Sequence, residues 1–112
     1  MSEDAAAKIA ARLSELWRTS RTTVLERLTV LHSACESLTR DPADNEARTA
    51  GRETAHKLSG ILGVFGLPQG SEIAASIEQL LKSELVLTPQ DLSALRDSIA
   101  HLDDVVASKQ ER

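Results

Sequence analysis

Between Val24 and Leu38 the apolar residues Val24, Leu28, Leu31, Cys35 and Leu38 recur in steps of four, three, four and three. That alternation puts one apolar side chain per turn on a single stripe of an α-helix. It fits no strand, which would need every second residue. Comparable stripes follow: Leu58, Ile61, Leu62 and Phe65; then Ile73, Ile77, Leu80 and Leu81; then Leu92, Leu95, Ile99, Leu102 and Val106. Breakers separate them at Asp41-Pro42, at Gly66-Leu67-Pro68 and at Thr88-Pro89. Each stripe needs the others to cover it, and the connections are short. The pattern therefore predicts an all-α, up-down four-helix bundle. One Trp, one Phe and no Tyr leave Leu, Ile, Val and Ala to fill the core, which suits helices better than sheet.

The first helix is expected to be long. Ile9, Leu13, Leu16 and Trp17 carry an apolar stripe upstream of Val24, and the polar run Arg18–Thr23 between them predicts a bend or phase shift. Asp4 is a candidate cap for its start, Asp41 or Asp44 for the second helix, and Thr88, followed by Pro89 and Asp91, for the fourth. The 112 residues fit one domain spanning 1–112. A single cysteine excludes an internal disulfide, and Cys35 sits on the core stripe. A net charge of −4 argues against general nucleic-acid binding. No apolar run approaches the roughly 18 residues of a membrane span. The acidic opening Met1-Ser2-Glu3-Asp4 lacks an apolar signal region, so a cytoplasmic protein is expected.

The second helix holds the residue around which function is read. At helical period Ala47, Thr54, Leu58, Ile61, Leu62 and Phe65 face the core, and His56 lies opposite, among Thr49, Arg52, Glu53, Ser59, Gly60 and Gly63. A glycine inside a helix costs roughly 1 kcal/mol against alanine. Gly63 has two readings, close helix packing or an open face. Gly60 lies one turn beyond His56, where a bare backbone lets another molecule approach the imidazole.

Ala55-His56-Lys57-Leu58-Ser59-Gly60, closing on Phe65-Gly66, resembles the motif of histidine phosphotransfer (HPt) domains of bacterial phosphorelays. The resemblance implies that His56 is the phosphorylated residue. Many members carry lysine three residues after the histidine to handle phosphoryl charge, and here Ser59 stands in that place. Arg52 and Lys57 flank the histidine and are candidates for electrostatic help or plain solubility, with Arg48 a weaker candidate. The short turn at Leu67 folds the third helix back beside the second, so Glu78 comes level with His56. A carboxylate there can hold one ring nitrogen and free the other as nucleophile. The resemblance implies the same pairing, since members often have Glu or Gln at that place. Gly70, Ser71, Ala74 and Ala75 are expected to extend a shallow surface beside it. His32 and His101 read as flank residues.

The expected activity is that of a phosphocarrier without kinase activity of its own. It would accept a phosphoryl group on His56 from a receiver-domain aspartate and return it. The implied partners are response-regulator receiver domains and a hybrid sensor histidine kinase. The expectation includes no nucleic acid, no membrane, a monomer, and no cofactor on this chain, with Mg2+ on the receiver. The alternative is a helical protein-interaction module without transfer, which Ser59 keeps open. A third, remote reading is metal binding. Glu53-x-x-His56 has the spacing of di-iron bundles, but neither His32 nor His101 has a carboxylate three residues before it.

Overall fold

The computed structural model describes residues 3–109, and four helices account for most of them: α1 (Glu3–Arg40), α2 (Asn45–Val64), α3 (Pro68–Lys82) and α4 (Pro89–Ser108). There is no strand among the described residues. Each helix touches two neighbours, α1 against α2 and α4, α3 against α2 and α4. The result is the expected antiparallel bundle.

Local chemistry sets the helix ends. Asp44 caps α2 through its carboxylate, which accepts the Ala47 N–H at 3.0 Å. Thr88 and Asp91 form a reciprocal capping box on α4, with bonds of 3.1 and 2.9 Å. At the end of α2, Gly66 takes φ +73°, the left-handed region that favours glycine. Leu67 N–H then reaches the Leu62 carbonyl at 2.9 Å and Gly66 N–H that of Gly63 at 3.2 Å. This Schellman closure, followed by Pro68, reverses the chain tightly. At the other end of the α2–α3 pair, Arg48 braces the C-terminus of α3. Its Nε donates to the Leu81 carbonyl at 2.9 Å and its Nη2 to that of Ser83.

The core draws on all four helices: Val24, Leu31 and Leu38 of α1, Leu58 and Leu62 of α2, Ile77 of α3, and Leu95, Ile99, Leu102 and Val106 of α4. Leu87, in the α3–α4 connection, is also buried. Cys35 is buried, which pushes its thiol pKa up against the weaker opposing pull of the Arg96 charge.

Four local expectations change. Asp4 lies within the first turn of α1 instead of before it, while α1 itself runs on as helix through Arg18–Thr23. The buried face of α2 centres on Gly51, Ala55, Leu58 and Leu62, because α2 packs between α1 and α3 at once. A Cβ on Gly51 would stand 2.9 Å from Leu81 Cδ1. Gly70 and Ala74 belong to the core, not to a shallow surface; a Cβ on Gly70 would meet Leu62 and Val105 at 3.1 and 3.2 Å. Finally, Trp17 is buried edge-on against Phe65, 5.2 Å between ring centroids, but Ile9, Leu13 and Leu16 are exposed. At 38 residues against 20 for α2, α1 simply outruns the helices that could cover it.

Candidate functional site

His56 is held at mid-length of α2, one residue beyond the buried Ala55 and two before the buried Leu58. Those neighbours fix the helix phase, and the imidazole consequently points outward. Its side chain is 74% exposed. Across the α2–α3 cleft Glu78, next to the buried Ile77, is only 21% exposed and faces the ring. Its Oε2 and Oε1 lie 3.0 and 3.2 Å from His56 Nδ1. An ionised carboxylate only accepts, so in the neutral ring Nδ1 carries the proton and donates it to Glu78. Nε2, the outer nitrogen, keeps its lone pair. The arrangement fixes the ring in one tautomer through a partly buried carboxylate and leaves Nε2 available to an electrophile.

The surface above the ring is bare. A Cβ built on Gly60 would have no atom within 4 Å outside its own stretch of helix, so internal packing gives no reason for glycine there. Gly63 is less open: its Cβ would meet Ser71 Oγ at 3.5 Å, an ordinary contact that alanine could make. Ser59 is engaged elsewhere. Its hydroxyl donates to the Ser71 carbonyl at 3.1 Å, and the Ser71 hydroxyl donates to the Ser59 carbonyl at 2.8 Å. This reciprocal staple holds α2 and α3 together one turn from His56. The Ser71 half of the pair was not visible in the spacing of charged or catalytic residue types, because it serves backbone carbonyls.

The flanking cations differ. Lys57 is exposed beside His56. Arg52, one turn below, lines a shallow depression with Thr49, Arg48 and Lys82. Lys82, one turn from Glu78 on α3, adds a positive charge on this side that the sequence reading passed over. Arg48 is spent on the carbonyls of α3. The remaining histidines stand apart: His32 Nε2 bonds Asp103 at 2.7 Å, and His101 Nε2 lies 3.3 Å from Gln69 Nε2. Among the described residues no three His, Cys, Asp or Glu side chains come together as a metal site, and no helix is long and apolar enough to cross a membrane.

The family model described as "Hpt domain" matches residues 15–105. Protein RcaC of Microchaete diplosiphon is 27% identical over 92 residues, which are 82% of this chain but 14% of that protein. The chain thus spans a small part of this relative's length. No solved structure matches the chain.

Proposed function

The chain belongs to the Hpt domain family, phosphocarrier modules of phosphorelays, and from that premise we propose that His56 is its phosphorylated residue. Nε2 attacks the phosphorus of a receiver domain's aspartyl phosphate in line. The N–P bond forms as the acyl phosphate O–P bond breaks, and the receiver's carboxylate leaves. Positive charge grows on the imidazole as its lone pair is shared, and Glu78, at 3.0 Å from Nδ1, opposes it. The reverse step returns the phosphoryl group. Such transfer needs positioning and charge more than covalent machinery, and the receiver's Mg2+ supplies much of the charge. Gly60 leaves room for the receiver to close over the ring, with Gly63 beside it on the same helix. Arg52 and Lys57 meet acidic groups of the partner or the phosphoryl oxygens. The partners in this reading are receiver domains and a hybrid sensor kinase, met in the cytoplasm, and the chain carries no kinase activity or cofactor of its own.

The observation that carries the reading is the exposed imidazole tied through Nδ1 to Glu78, beside a glycine that nothing inside the bundle requires. The test is incubation with phosphorylated receivers. Acid-labile, alkali-stable label on the chain is expected, and none on His56→Gln. Label surviving in the variant would overturn the assignment.

One observation favours the second reading, an interaction module without transfer. Ser59, where many relatives carry lysine, bonds Ser71 and offers no charge to a phosphoryl group. Failure to label with several active receivers would select it.

A further inference from the structure

Independently of phosphotransfer, the overhang of α1 has properties of an interface. Past Trp17 the stripe that packs the bundle continues in phase as Leu13, Ile9 and Ala6, and nothing in the bundle covers it. Ile9, Leu13 and Leu16 are 49%, 43% and 44% exposed. These turns lie largely outside the segment that matches the Hpt family, which begins at residue 15. A helical segment of this length with only water around it is marginal, so a half-exposed Ile/Leu stripe implies a partner surface.

Where the overhang leaves the bundle there is a groove of about 570 Å³ lined by Leu13, Trp17, Val64, Phe65, Leu67 and Lys109, among others. Val64 stands exposed on its edge. Two buried donors at this end have no acceptor among the described residues: the indole N–H of Trp17, itself 3% exposed, and Nε–H of Arg21. The groove is apolar along Leu13, Trp17, Val64, Phe65 and Leu67 and carries the cations Arg18 and Lys109 on its lining.

The charges of the overhang select the occupant. Its first turn is acidic, Glu3 and Asp4, and its base is basic, Arg18 and Arg21. Parallel pairing of two overhangs would set like charges together. Antiparallel pairing sets acid on base twice, by symmetry, which is the isologous arrangement of a two-fold dimer. We propose that the chain forms such a dimer. Ile9 of one copy meets Leu13 of the other, Ala6 meets Leu16, and Asp4 comes level with Arg18. The acidic first turn of each copy enters the groove of the other and brings carboxylates beside Arg18 and Lys109. The two bundles then point away from each other and both His56 faces stay open.

Sedimentation equilibrium on the full chain tests this. A two-chain mass is expected. Leu13→Glu, at an exposed position whose change leaves the bundle intact by circular dichroism, should weaken association about a hundredfold. Chains carrying Ala6→Cys, mixed with chains carrying Leu16→Cys, should cross-link to each other in preference to their own kind; native Cys35 is buried and does not compete. A monomer at high micromolar concentration, a dimer indifferent to Leu13→Glu, or preferential self-cross-linking of either variant would each overturn the proposal. None of these readouts involves phosphoryl transfer, so failure here leaves the reading of His56 untouched.

Discussion

The molecule contains two histidine–carboxylate pairs of similar composition and opposite character. His56–Glu78 bridges α2 and α3; His32–Asp103 bridges α1 and α4. In the first the inner nitrogen, Nδ1, is tied and the outer one is free. In the second the outer nitrogen, Nε2, is tied at 2.7 Å, which leaves Nδ1, the nitrogen nearer the Cβ attachment, as the other one. His56 has Gly60 one turn on and Arg52 one turn back. His32 has Glu36 and Leu28 in those places. Glu78 is more buried than Asp103, 21% against 39% exposed, so its hold on the ring is less diluted by water. A carboxylate beside a histidine therefore does not by itself leave the outward nitrogen free. What distinguishes His56 is which nitrogen is tied and what is missing around the other.

The two pairs should differ most at the histidines themselves. His56→Gln should abolish label from a phosphorylated receiver, and His32→Gln should leave it at the wild-type level. Label lost equally in both, with both folded by circular dichroism, would erase the distinction. Next in size is the base partner. Glu78→Ala removes one charge-assisted hydrogen bond, worth about 1.5 kcal/mol, so transfer in rapid-quench measurements should slow by about tenfold. Asp103→Ala should not alter the transfer rate.

How far the pairs were legible in advance depended on the kind of information. Helix period and the short turn at Leu67 gave the outward phase of His56 and its level with Glu78, because both follow from 3.6-residue periodicity and a hairpin. His32–Asp103 joins residues of the first and last helices, and no local rule sets their relative height or rotation. The tight places of Gly51 and Gly70 escape a reading by period for the same reason. Each fills a gap whose walls come from other helices, and only the assembled bundle shows how narrow that gap is. The overhang of α1 was read as core, since its stripe is core-like; its exposure depends on how far the other helices reach.

Gly60 sharpens the contrast from the other side. A Cβ at this helix position meets nothing, so Gly60→Ala should stabilise the bundle by roughly 1 kcal/mol. That corresponds to a thermal midpoint higher by about 4–8 °C for a domain near this size. On the proposed docking surface the added methyl should slow transfer several-fold. A stability gain with unchanged transfer would mean that the bare face admits no partner. Arg52→Ala and Lys57→Ala should act more weakly, each lowering the transfer rate a few-fold at low salt. The difference should fade by about 0.5 M salt, where exposed charges are largely screened. Loss that persisted there would point to direct contact with the phosphoryl group.

The smallest effect belongs to the pair without a proposed chemical task. His32 and Asp103 are both exposed, 51% and 39%, and their bond stands in water between α1 and α4. An exposed ion pair contributes little, since solvent screens the charges and two side chains lose freedom to meet. A double-mutant cycle of His32→Gln and Asp103→Asn, read by urea unfolding, should return a coupling of about 1 kcal/mol or less. A coupling well above that would mean the α1–α4 contact depends on this bridge. The two pairs would then differ in what they hold together as well as in which nitrogen they leave free. A small coupling leaves α1 and α4 joined by Leu28, Leu31, Leu102 and Val106, all buried, and leaves His32 as a surface histidine whose outer nitrogen is occupied.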